Sequence, residues 1–351
     1  MFLRKTHLIQ FKNHINSTFE FNEKVICIYG KNGKGKTNLL DSIYFSAVSK
    51  SFLNFVDMQL ISEGTDFFRI ENSFEINQKA ISVIVKYKPR SKQILFDETP
   101  INKNQELFGK IPLVICAPQD IAIIQEGSEA RRKFIDYTIS LVNPKYLSTL
   151  THYQKILEQR NAYIKQDQEK DKSLMHYYNL ELDRTGHFIF EARKSFFYEI
   201  KEKINYWYRI MSGDSEQIEL EYVSQLFHQN LIQLLEISYE KDMILKRTTK
   251  GIHRDDINFK LSDIEFKKSG SQGQQKSFIY ALKFAQSEWL FEKTNQKPIF
   301  LLDDFSDKLD AIRMEHLQDI INNVTFISQW FLTDTETVHF DKIIQKQIIK
   351  L

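Results

Sequence analysis

The sequence is poor in residues that break or cross-link a chain. Its 351 residues include 11 glycines, six prolines and two cysteines. Both cysteines, Cys27 and Cys116, lie inside apolar runs, which predicts buried strand thiols and argues against a disulfide or zinc framework. No apolar run approaches the ~18 residues that a membrane span needs, and the first residues, MFLRKTHLIQFKNH, carry charge too early for a secretory signal. These absences predict a soluble, cytoplasmic protein with no membrane association.

A large net charge is also missing. The formal net charge at pH 7 is +2, from 48 basic and 46 acidic residues. Any contact with nucleic acid must therefore come from local basic clusters rather than from an overall positive excess. The candidate clusters are Lys31 with Lys34, Lys88 with Arg90 and Lys92, Arg131 with Arg132 and Lys133, and Lys246 with Arg247. Because such a cluster is more often a solvated face, these residues are candidates and do not define a footprint.

One segment uses several of the scarce glycines. Residues 30–37, the phosphate loop, read GKNGKGKT and fit the pattern G-x-x-x-x-G-K-[ST] between a strand-like run and an amphipathic helix. Backbone N–H groups and a helix start then surround an anion, Lys36 reaches the β- and γ-phosphates, and Thr37 offers its hydroxyl to Mg²⁺. An ordinary surface turn is disfavoured by the flanking strand and helix. The predicted nucleotide-binding residues are Gly30, Lys31, Asn32, Gly33, Lys34, Gly35, Lys36, Thr37 and Asn38.

A second apolar run, PIFLLDD, ends in two carboxylates. A buried parallel strand with an Asp at the carboxyl edge of its sheet is the Walker B arrangement, in which Asp303 holds Mg²⁺ near Thr37. The next carboxylate, Asp304, is then placed to orient or deprotonate the attacking water. A strand that simply ends in an Asp-rich cap is the alternative, and the phosphate loop makes it the less favoured one.

The two motifs lie far apart in the chain, which is the plan of ABC-type ATPases rather than of a small kinase or GTPase. Residues 1–118 read as strands around the phosphate loop, whereas residues 119–247 contain long charged-apolar stretches with a helical period. We predict an α/β fold: an ABC-type ATPase head, with a mixed sheet carrying the phosphate loop and an antiparallel β subdomain. The head is split into residues 1–118 and 248–351 by a helical insertion, and its sheet is completed after residue 250.

The polar segment SGSQGQQK, residues 269–276, leads into a further predicted helix. It offers a second helix N-terminus with free N–H groups, a serine cap and a glycine that permits close approach. A capped helix start explains these features when they are taken alone. Because the segment lies shortly before PIFLLDD and has no phosphate loop of its own, we predict that it completes the triphosphate site of a partner chain. Two identical subunits would then trap two ATP between them.

Together these motifs resemble the RecF family of bacterial DNA repair ATPases, which is related to the SMC proteins, over almost the whole length. Besides the phosphate loop, the residues that carry the resemblance are QFKN (10–13), KSF (50–52), APQD (117–120), RR (131–132), QRN (159–161), GIHRDD (251–256), SQGQQ (271–275) and LLDD (301–304) with Leu309, Asp310 and Arg313.

The resemblance implies a head with a short helical arm, ATP and Mg²⁺ as cofactors, and an ATP-dependent homodimer. It further implies binding to double-stranded and gapped or junction DNA, and loading of RecA with RecO and RecR as partners. It places Gln119 on the Q-loop, near Mg²⁺ and the attacking water, and Asp310 on the D-loop. The implied trans signature, facing the γ-phosphate of the other subunit, consists of Ser271, Gln272, Gly273 and Gln274.

Several positions depart from related patterns. Lys12 stands where the family has an Arg, Asp307 where it has the D-loop serine, and Lys308 where it has an acid. Thr333-Asp334 falls where many ABC ATPases have a switch histidine. Asp304 is one methylene shorter than the Glu of transporters, and a misplacement of about 1 Å can cost ~10²-fold in rate. We therefore predict slow hydrolysis, with ATP acting as dimer glue and timer.

Three other classes of protein share part of this pattern. The nucleotide-binding subunit of an ABC transporter normally carries LSGGQ, a catalytic Glu and a switch His, all of which differ here. An SMC-like ATPase that works with a nuclease is disfavoured because no acidic nuclease cluster accompanies the ATPase motifs. A protein kinase is suggested only by His253-Arg254-Asp255, without the glycine loop or DFG of that class. We expect His253 and Arg254 to brace the return from the helical insertion into the sheet.

Overall fold

The computed structural model describes residues 1–103, 106–166, 169–213, 216, 218–261 and 263–351. Its strands are β1 (Phe2–Phe11), β2 (His14–Glu20), β3 (Val25–Tyr29), β4 (Phe68–Ile76), β5 (Lys79–Lys88), β6 (Ser91–Phe96), β7 (Thr99–Pro100), β8 (Leu113–Cys116), β9 (Ile218–Val223), β10 (Asp256–Leu261), β11 (Ile264–Glu265), β12 (Ile299–Leu302), β13 (Gln329–Asp334) and β14 (Lys346–Lys350). Its helices are α1 (Lys36–Val48), α2 (Ala122–Gln125), α3 (Ser128–Val142), α4 (Pro144–Lys165), α5 (Lys172–Ser212), α6 (Leu231–Ile237), α7 (Tyr239–Leu245), α8 (Phe266–Ser269), α9 (Gln272–Thr294) and α10 (Ala311–Asn323). Within the described ranges, every helix is too short or too polar to span a bilayer.

The chain forms two compact units. The first contains Met1–Ile121, Lys203–Glu216 and Ser271–Leu351, and the second contains Ala122–Glu202 and Gln217–Gly270. The bounds of these two units differ from those of the predicted domains. The head at 1–118 with 248–351 and the insertion at 119–247 therefore stay a prediction.

The first unit has a parallel sheet at its centre, with strand order β14-β3-β13-β12-β8. The strands β8, β12 and β13 are fully buried, which explains why β8 and β12 read as continuous apolar runs rather than alternating ones. Parallel strands end at the same edge of a sheet, so the phosphate loop after β3 and the carboxylates after β12 both lie at its carboxyl edge. Only β13 lies between them.

A second sheet of this unit is antiparallel, with strand order β2-β1-β4-β5-β6-β7. Its inner face packs on α1 through edge-to-face aromatic rings, because Phe68 of β4 lies 5.4 Å from Phe11 and 5.8 Å from Phe45 between ring centroids. All strands of this sheet come from the first 100 residues. The prediction of one sheet completed after residue 250 was therefore wrong for this part, since only the parallel sheet gains strands from the C-terminal region.

The strands β10 and β11 belong to the second unit. They form a three-stranded antiparallel sheet with β9, in register from Asp256 opposite Val223 to Leu261 opposite Ile218. The strand β9 lies inside the segment predicted to be helical. Its sequence, IELEYV, alternates buried and exposed residues as a half-buried strand does, and its pairing partner lies more than 30 residues further along the chain. Ser262, within the predicted strand segment, lies outside the described residues.

Two buried arginines organise the second unit. Arg193 of α5 binds Asp136 at 2.8 Å and Asp255 at 3.0 Å, and Arg160 of α4 binds Asp242 at 2.8 Å. All five side chains except that of Asp136 are at most 2% exposed. The QRN and HRDD motifs thus supply buried ion pairs. Such pairs are costly to break because a lone charge would remain in a dry site.

The first two residues of HRDD act on the preceding turn. His253 Nε2 lies 3.2 Å from the Thr248 carbonyl oxygen, to which the Arg254 guanidinium also donates at 3.1 Å. His253 Nδ1 lies 2.9 Å from the hydroxyl of Tyr153. Burial lowers the pKa of His253 to about 4, so the ring is neutral at pH 7. The two residues therefore fix the chain just before β10, which belongs to the second unit.

Candidate nucleotide site

The phosphate loop is shaped by glycine. It connects β3 to α1, and its Gly33 and Gly35 have φ angles of 82° and 98°, which lie in the left-handed region. A Cβ atom on Gly35 would lie 2.6 Å from Asn13 Oδ1 and 2.8 Å from His14 Nε2. Glycine is thus required at residue 35 both by the backbone angle and by the close approach of the β1–β2 turn.

That turn was not assigned a role from the sequence. Asn13 Nδ2 donates to the Gly33 carbonyl at 3.3 Å, and Asn38 Nδ2 donates to Asn13 Oδ1 at 2.7 Å. His14 Nε2 lies 3.2 Å from the Gly35 carbonyl oxygen, and burial lowers the pKa of this histidine. Asn13 belongs to the QFKN motif and was within reach of sequence reasoning, whereas nothing in the sequence marked His14.

Lys36 is the first residue of α1 and is 5% exposed. Its ammonium group donates to the carbonyl oxygens of Gly30 at 2.6 Å and Lys31 at 3.3 Å, so it lies folded over its own loop. Lys31 and Lys34 are exposed. The loop therefore surrounds one buried cation with two solvated ones, and this charge pattern suits a bound polyphosphate.

The structure brings Thr37 and Asp303 together. The hydroxyl of Thr37 lies 3.0 Å from each carboxylate oxygen of Asp303, and Thr333 of β13 donates to Asp303 Oδ1 at 2.7 Å. Burial, assisted by the neighbouring Asp304, raises the pKa of Asp303 above its ordinary value. Hydroxyl and carboxylate oxygens are the ligands that Mg²⁺ prefers, so these two side chains fit that ion together with phosphate oxygens.

Asp304 directly follows Asp303 and has a φ of 53°. Its backbone N–H donates to the Thr333 hydroxyl at 3.0 Å, and the N–H of Phe305 donates to the Thr333 carbonyl at 2.9 Å. Thr333 therefore holds the left-handed turn that redirects the chain after β12. Sequence reasoning noted this position only because a histidine was missing from it.

A histidine does approach the same turn from a later residue. His339 Nδ1 lies 3.1 Å from Asp334 Oδ1, and Asp334 Oδ2 accepts a hydrogen bond from the Ser306 N–H at 3.1 Å. Hydrogen bonds, led by the one from Ser306, outweigh burial and lower the pKa of Asp334. The loop after Asp304 is thus held by Thr333 and Asp334 together.

Gln119 is not hydrogen-bonded to Thr37 or Asp303. Its exposed amide donates to the Phe52 carbonyl at 3.5 Å, a long and weak contact. The Phe52 segment is itself held by the buried Asp41 of α1, which accepts the Phe52 N–H at 3.0 Å and pairs with Lys12 at 3.3 Å. The KSF motif and Lys12 thereby share one carboxylate.

The signature segment begins α9. Ser271 Oγ accepts the Gln274 N–H at 3.2 Å and Gln274 Oε1 accepts the Ser271 N–H at 2.7 Å, which is a reciprocal capping box. Ser271 and Gln272 are exposed. A Cβ on Gly273 would lie 2.8 Å from Arg313 Nη1, so a larger residue there would require the guanidinium to shift.

Arg313 connects the signature segment to the D-loop. Its guanidinium binds Asp310 at 3.3 Å and Glu216 at 2.9 Å, while Asp310 caps α10 by accepting the Arg313 N–H at 2.9 Å. Arg313 was recognised in the sequence only as part of a motif. Its position over Gly273 depends on contacts between segments far apart in the chain, which residue spacing does not reveal.

These features define the class of protein: a phosphate loop and an acidic strand end at one edge of a parallel sheet, with an antiparallel subdomain, form an ABC-type ATPase head. The sequence model described as RecF/RecN/SMC N terminal domain matches residues 2–350. A protein named DNA replication and repair protein RecF from Flavobacterium johnsoniae is 40% identical, over 98% of this chain and 97% of that protein. A protein of the same name from Phocaeicola vulgatus is 37% identical, over 99% of this chain and 94% of that protein. This chain belongs to the RecF family of DNA replication and repair proteins.

Solved structures agree with the fold. A structure of the recombination mediator protein RecF-ATPrS in the RecFOR pathway aligns with a TM-score of 0.88 at 26% identity, covering 100% of this chain and 96% of that one. An SMC head bound to the C-winged helix domain of ScpA aligns with a TM-score of 0.59 at 14% identity over 99% and 94% of the two chains, which bears on the fold alone. The predicted fold class, an α/β ABC-type ATPase head with an antiparallel β subdomain, is confirmed. The sheet that carries the phosphate loop is parallel rather than mixed as predicted.

Proposed function

We propose that this chain binds ATP with Mg²⁺, dimerises on doing so, and binds DNA as part of recombinational repair. The observation that carries the proposal is the 3.0 Å contact between Thr37 and Asp303. Two motifs that are distant in sequence thereby meet at one sheet edge, as a nucleotide site requires. Family membership favours this function over that of a transporter subunit or another SMC-like ATPase.

In this proposal residues 30–38 hold the triphosphate through backbone N–H groups and the start of α1. Lys36 exchanges its two carbonyl acceptors, those of Gly30 and Lys31, for phosphate oxygens. Thr37 and Asp303, with Gln119, would hold Mg²⁺, whose chemistry when bound is to neutralise charge on the phosphates. The long bond from Gln119 to Phe52 is weak enough to be exchanged for such a role.

Asp304 is proposed to orient the attacking water and accept its proton. Its carboxylate is short, and Thr333 fixes its backbone in the left-handed conformation, so its reach is limited. We therefore propose slow hydrolysis, at well below the typical turnover of ~10 s⁻¹, with ATP as a timer. A turnover on the order of hundreds per second would contradict this view.

The signature residues 271–274 are proposed to face the γ-phosphate of a second copy. Ser271 and Gln272 are exposed, α9 presents its N-terminal N–H groups, and Arg313 with Asp310 supports the segment from beneath. Each copy would supply one phosphate loop and one signature segment, so that two ATP molecules are enclosed by two chains.

Double-stranded, gapped and junction DNA, RecO and RecR are proposed as partners, with RecA loading as the outcome. Support comes from the relatives named DNA replication and repair protein RecF and from the neighbour described as a recombination mediator in the RecFOR pathway. The proposed role of ATP in this chain is supported by neighbours described as RecF-ATP and RecF-ATPrS.

The test is to measure the affinity for a gapped duplex with and without ATP, by fluorescence anisotropy. We expect ATP to strengthen binding by the wild type and to have no effect on Lys36→Ala. The control is Lys79→Ala, an exposed lysine of the first unit outside the phosphate loop, which should retain the ATP response. Equal DNA affinity with and without ATP for the wild type would contradict the proposal.

A further inference from the structure

The structure sorts the basic clusters of the sequence. In the second unit, Arg131 binds Asp256 at 2.6 Å and Arg132 donates to the Asp255 carbonyl at 2.7 Å, so both hold the fold. In the first unit, Lys92 is bound to Asp57 at 3.0 Å. Lys88 and its hairpin neighbour Arg90 are left exposed. Lys86, two residues before Lys88 on β5, is also exposed and was not among the candidate basic residues of the sequence.

Lys86 and Lys88 line an open groove of about 460 Å³ on the antiparallel sheet. The register explains it: Lys86 lies opposite Arg69 on β4 and opposite Gln93 on β6, and Lys88 lies opposite Ser91. Residues two apart on a strand share a face, so these side chains form two polar rows on one side of the sheet, the outer groove.

One wall of the outer groove is aromatic. The rings of Phe68 and Tyr87, which stack with centroids 5.4 Å apart, lie on the inner face of the sheet, because side chains alternate along each strand. Phe67 immediately precedes β4, is 38% exposed and lines the groove. Cations therefore flank a partly exposed ring, which is the combination that binds unpaired nucleotides.

The charge of the groove is unbalanced. Arg69 is paired with Glu71 at 2.6 Å, but across the described part of the chain no carboxylate lies within ion-pair distance of Lys86, Lys88 or Arg90. Three like charges at one sheet end repel one another and are stabilised by a polyanion. A phosphodiester backbone meets this need with evenly spaced single charges.

We propose that the outer groove binds an unpaired nucleotide of a DNA strand that leaves a duplex. Its base stacks on Phe67, and its flanking phosphates contact Lys86, Lys88 and Arg90. A space of about 460 Å³ is large enough for one base with its sugar. Ser91 and Gln93 offer hydrogen-bond partners without the fixed pattern that would read one base.

This inference rests on the proposed binding of gapped and junction DNA and deepens it. The outer groove of the first unit would be the site at which the protein distinguishes a junction from a plain duplex. A duplex backbone would need the lysines alone and not the aromatic ring. The test separates this alternative from an unpaired nucleotide.

The test compares a blunt duplex with the same duplex carrying a single-stranded extension, both with ATP. Phe67→Ala should weaken binding of the extended DNA by about 5- to 100-fold and that of the blunt duplex by less than about 2-fold. Phe67→Leu should behave like Phe67→Ala because it keeps an apolar side chain without a π face, whereas Phe67→Trp should restore binding. ATP binding and far-UV circular dichroism of each variant should match the wild type.

The lysines are tested through salt. Lys86→Ala combined with Lys88→Ala should reduce the slope of log K against log salt by about 1.4 for the extended DNA, because two single-strand phosphate contacts are lost. Lys79→Ala, an exposed lysine at the opposite end of β5, should leave the slope unchanged. A 2-aminopurine placed at successive positions of the extension should be quenched at one position only, and not in Phe67→Ala.

The outcomes separate the two proposals. If the wild type binds neither DNA, with or without ATP, the proposed function fails and this inference with it. If the wild type binds both DNAs but Phe67→Ala affects both equally or neither, only the outer groove assignment fails. A reduced salt slope for Lys86→Ala with Lys88→Ala, without an effect at Phe67, would indicate contact with a duplex backbone instead and would also overturn the assignment.

Discussion

Replacing Arg193 by methionine removes the cation between two carboxylates of the second unit. The guanidinium, 2% exposed, binds Asp136 at 2.8 Å and Asp255 at 3.0 Å and also donates to the Ile252 carbonyl at 2.7 Å. Removing one member of a buried ionic group typically costs about 3–5 kcal/mol, because the remaining charge has no partner and no water. We expect a loss of this size in the free energy of unfolding at pH 7.5.

The loss should depend on pH. Burial already raises the pKa of Asp255 in the wild type, although Arg193 opposes the rise, so the variant should raise it further. A carboxyl whose folded pKa is raised binds its proton more tightly when folded. Its stabilisation is present below the ordinary pKa of the unfolded state and is lost as the pH rises through the folded pKa. The deficit of Arg193→Met should therefore be smaller at pH 5 than at pH 7.5.

Two probes follow unfolding in urea. Far-UV circular dichroism follows the helices of both units. Tryptophan fluorescence follows the first unit, because Trp207, Trp289 and Trp330 all lie there. The control is Lys133→Ala, whose ion pair with Glu129 has both side chains more than 70% exposed and should change stability by less than about 1 kcal/mol. A variant Arg193→Met that unfolds within about 1 kcal/mol of the wild type at pH 7.5 would refute the reasoning.

Three further outcomes are expected in the first unit. Gly35→Ala should weaken binding of a fluorescent ATP analogue at least about tenfold, because a left-handed alanine costs about 1–2 kcal/mol and its Cβ meets Asn13. The control is Gly64→Ala, at a φ of +78° with open space around the added Cβ, which should bind the analogue normally. Thr333→Val should slow phosphate release about tenfold and spare nucleotide binding, because it removes a buried hydroxyl that contributes about 1–3 kcal/mol to the turn at Asp303 and Asp304. An unchanged rate of phosphate release would exclude a role for Thr333 in holding that turn. Arg313→Ala should weaken ATP-dependent dimerisation measured by sedimentation without changing the affinity of the monomer for ATP; undisturbed dimers would show that Arg313 does not support the signature segment.

The elements that position the site were predictable from the sequence, because their signals are local. The helix predicted to follow the segment SGSQGQQK is found at Gln272–Thr294, where a serine cap begins it and an asparagine in the left-handed conformation ends it. The buried strands β8 and β12 were marked by apolar runs that stop at Pro118 or at two carboxylates. Cap and burial signals each lie within a few residues, so they do not depend on the rest of the fold.

What the sequence left open depends on contacts between distant segments. Strand β9 lies in a largely helical region, and the pairing that makes it a strand comes from β10. The division of the first unit into two sheets likewise depends on which distant strands pair with one another. His14 and Thr333 act on the site through hydrogen bonds across 21 and 30 positions, which no spacing rule marks.

The central claim, that the signature segment of one copy completes the nucleotide site of another, is tested most directly by mass in solution. Light scattering at saturating ATP and Mg²⁺ should give twice the chain mass of 41.7 kDa for the wild type and the chain mass alone without nucleotide. Ser271→Arg places a large side chain on an exposed position of the segment, so it should bind ATP and remain a monomer. A wild type that stays at 41.7 kDa with ATP and gapped duplex, or a Ser271→Arg variant that dimerises normally, would contradict the account.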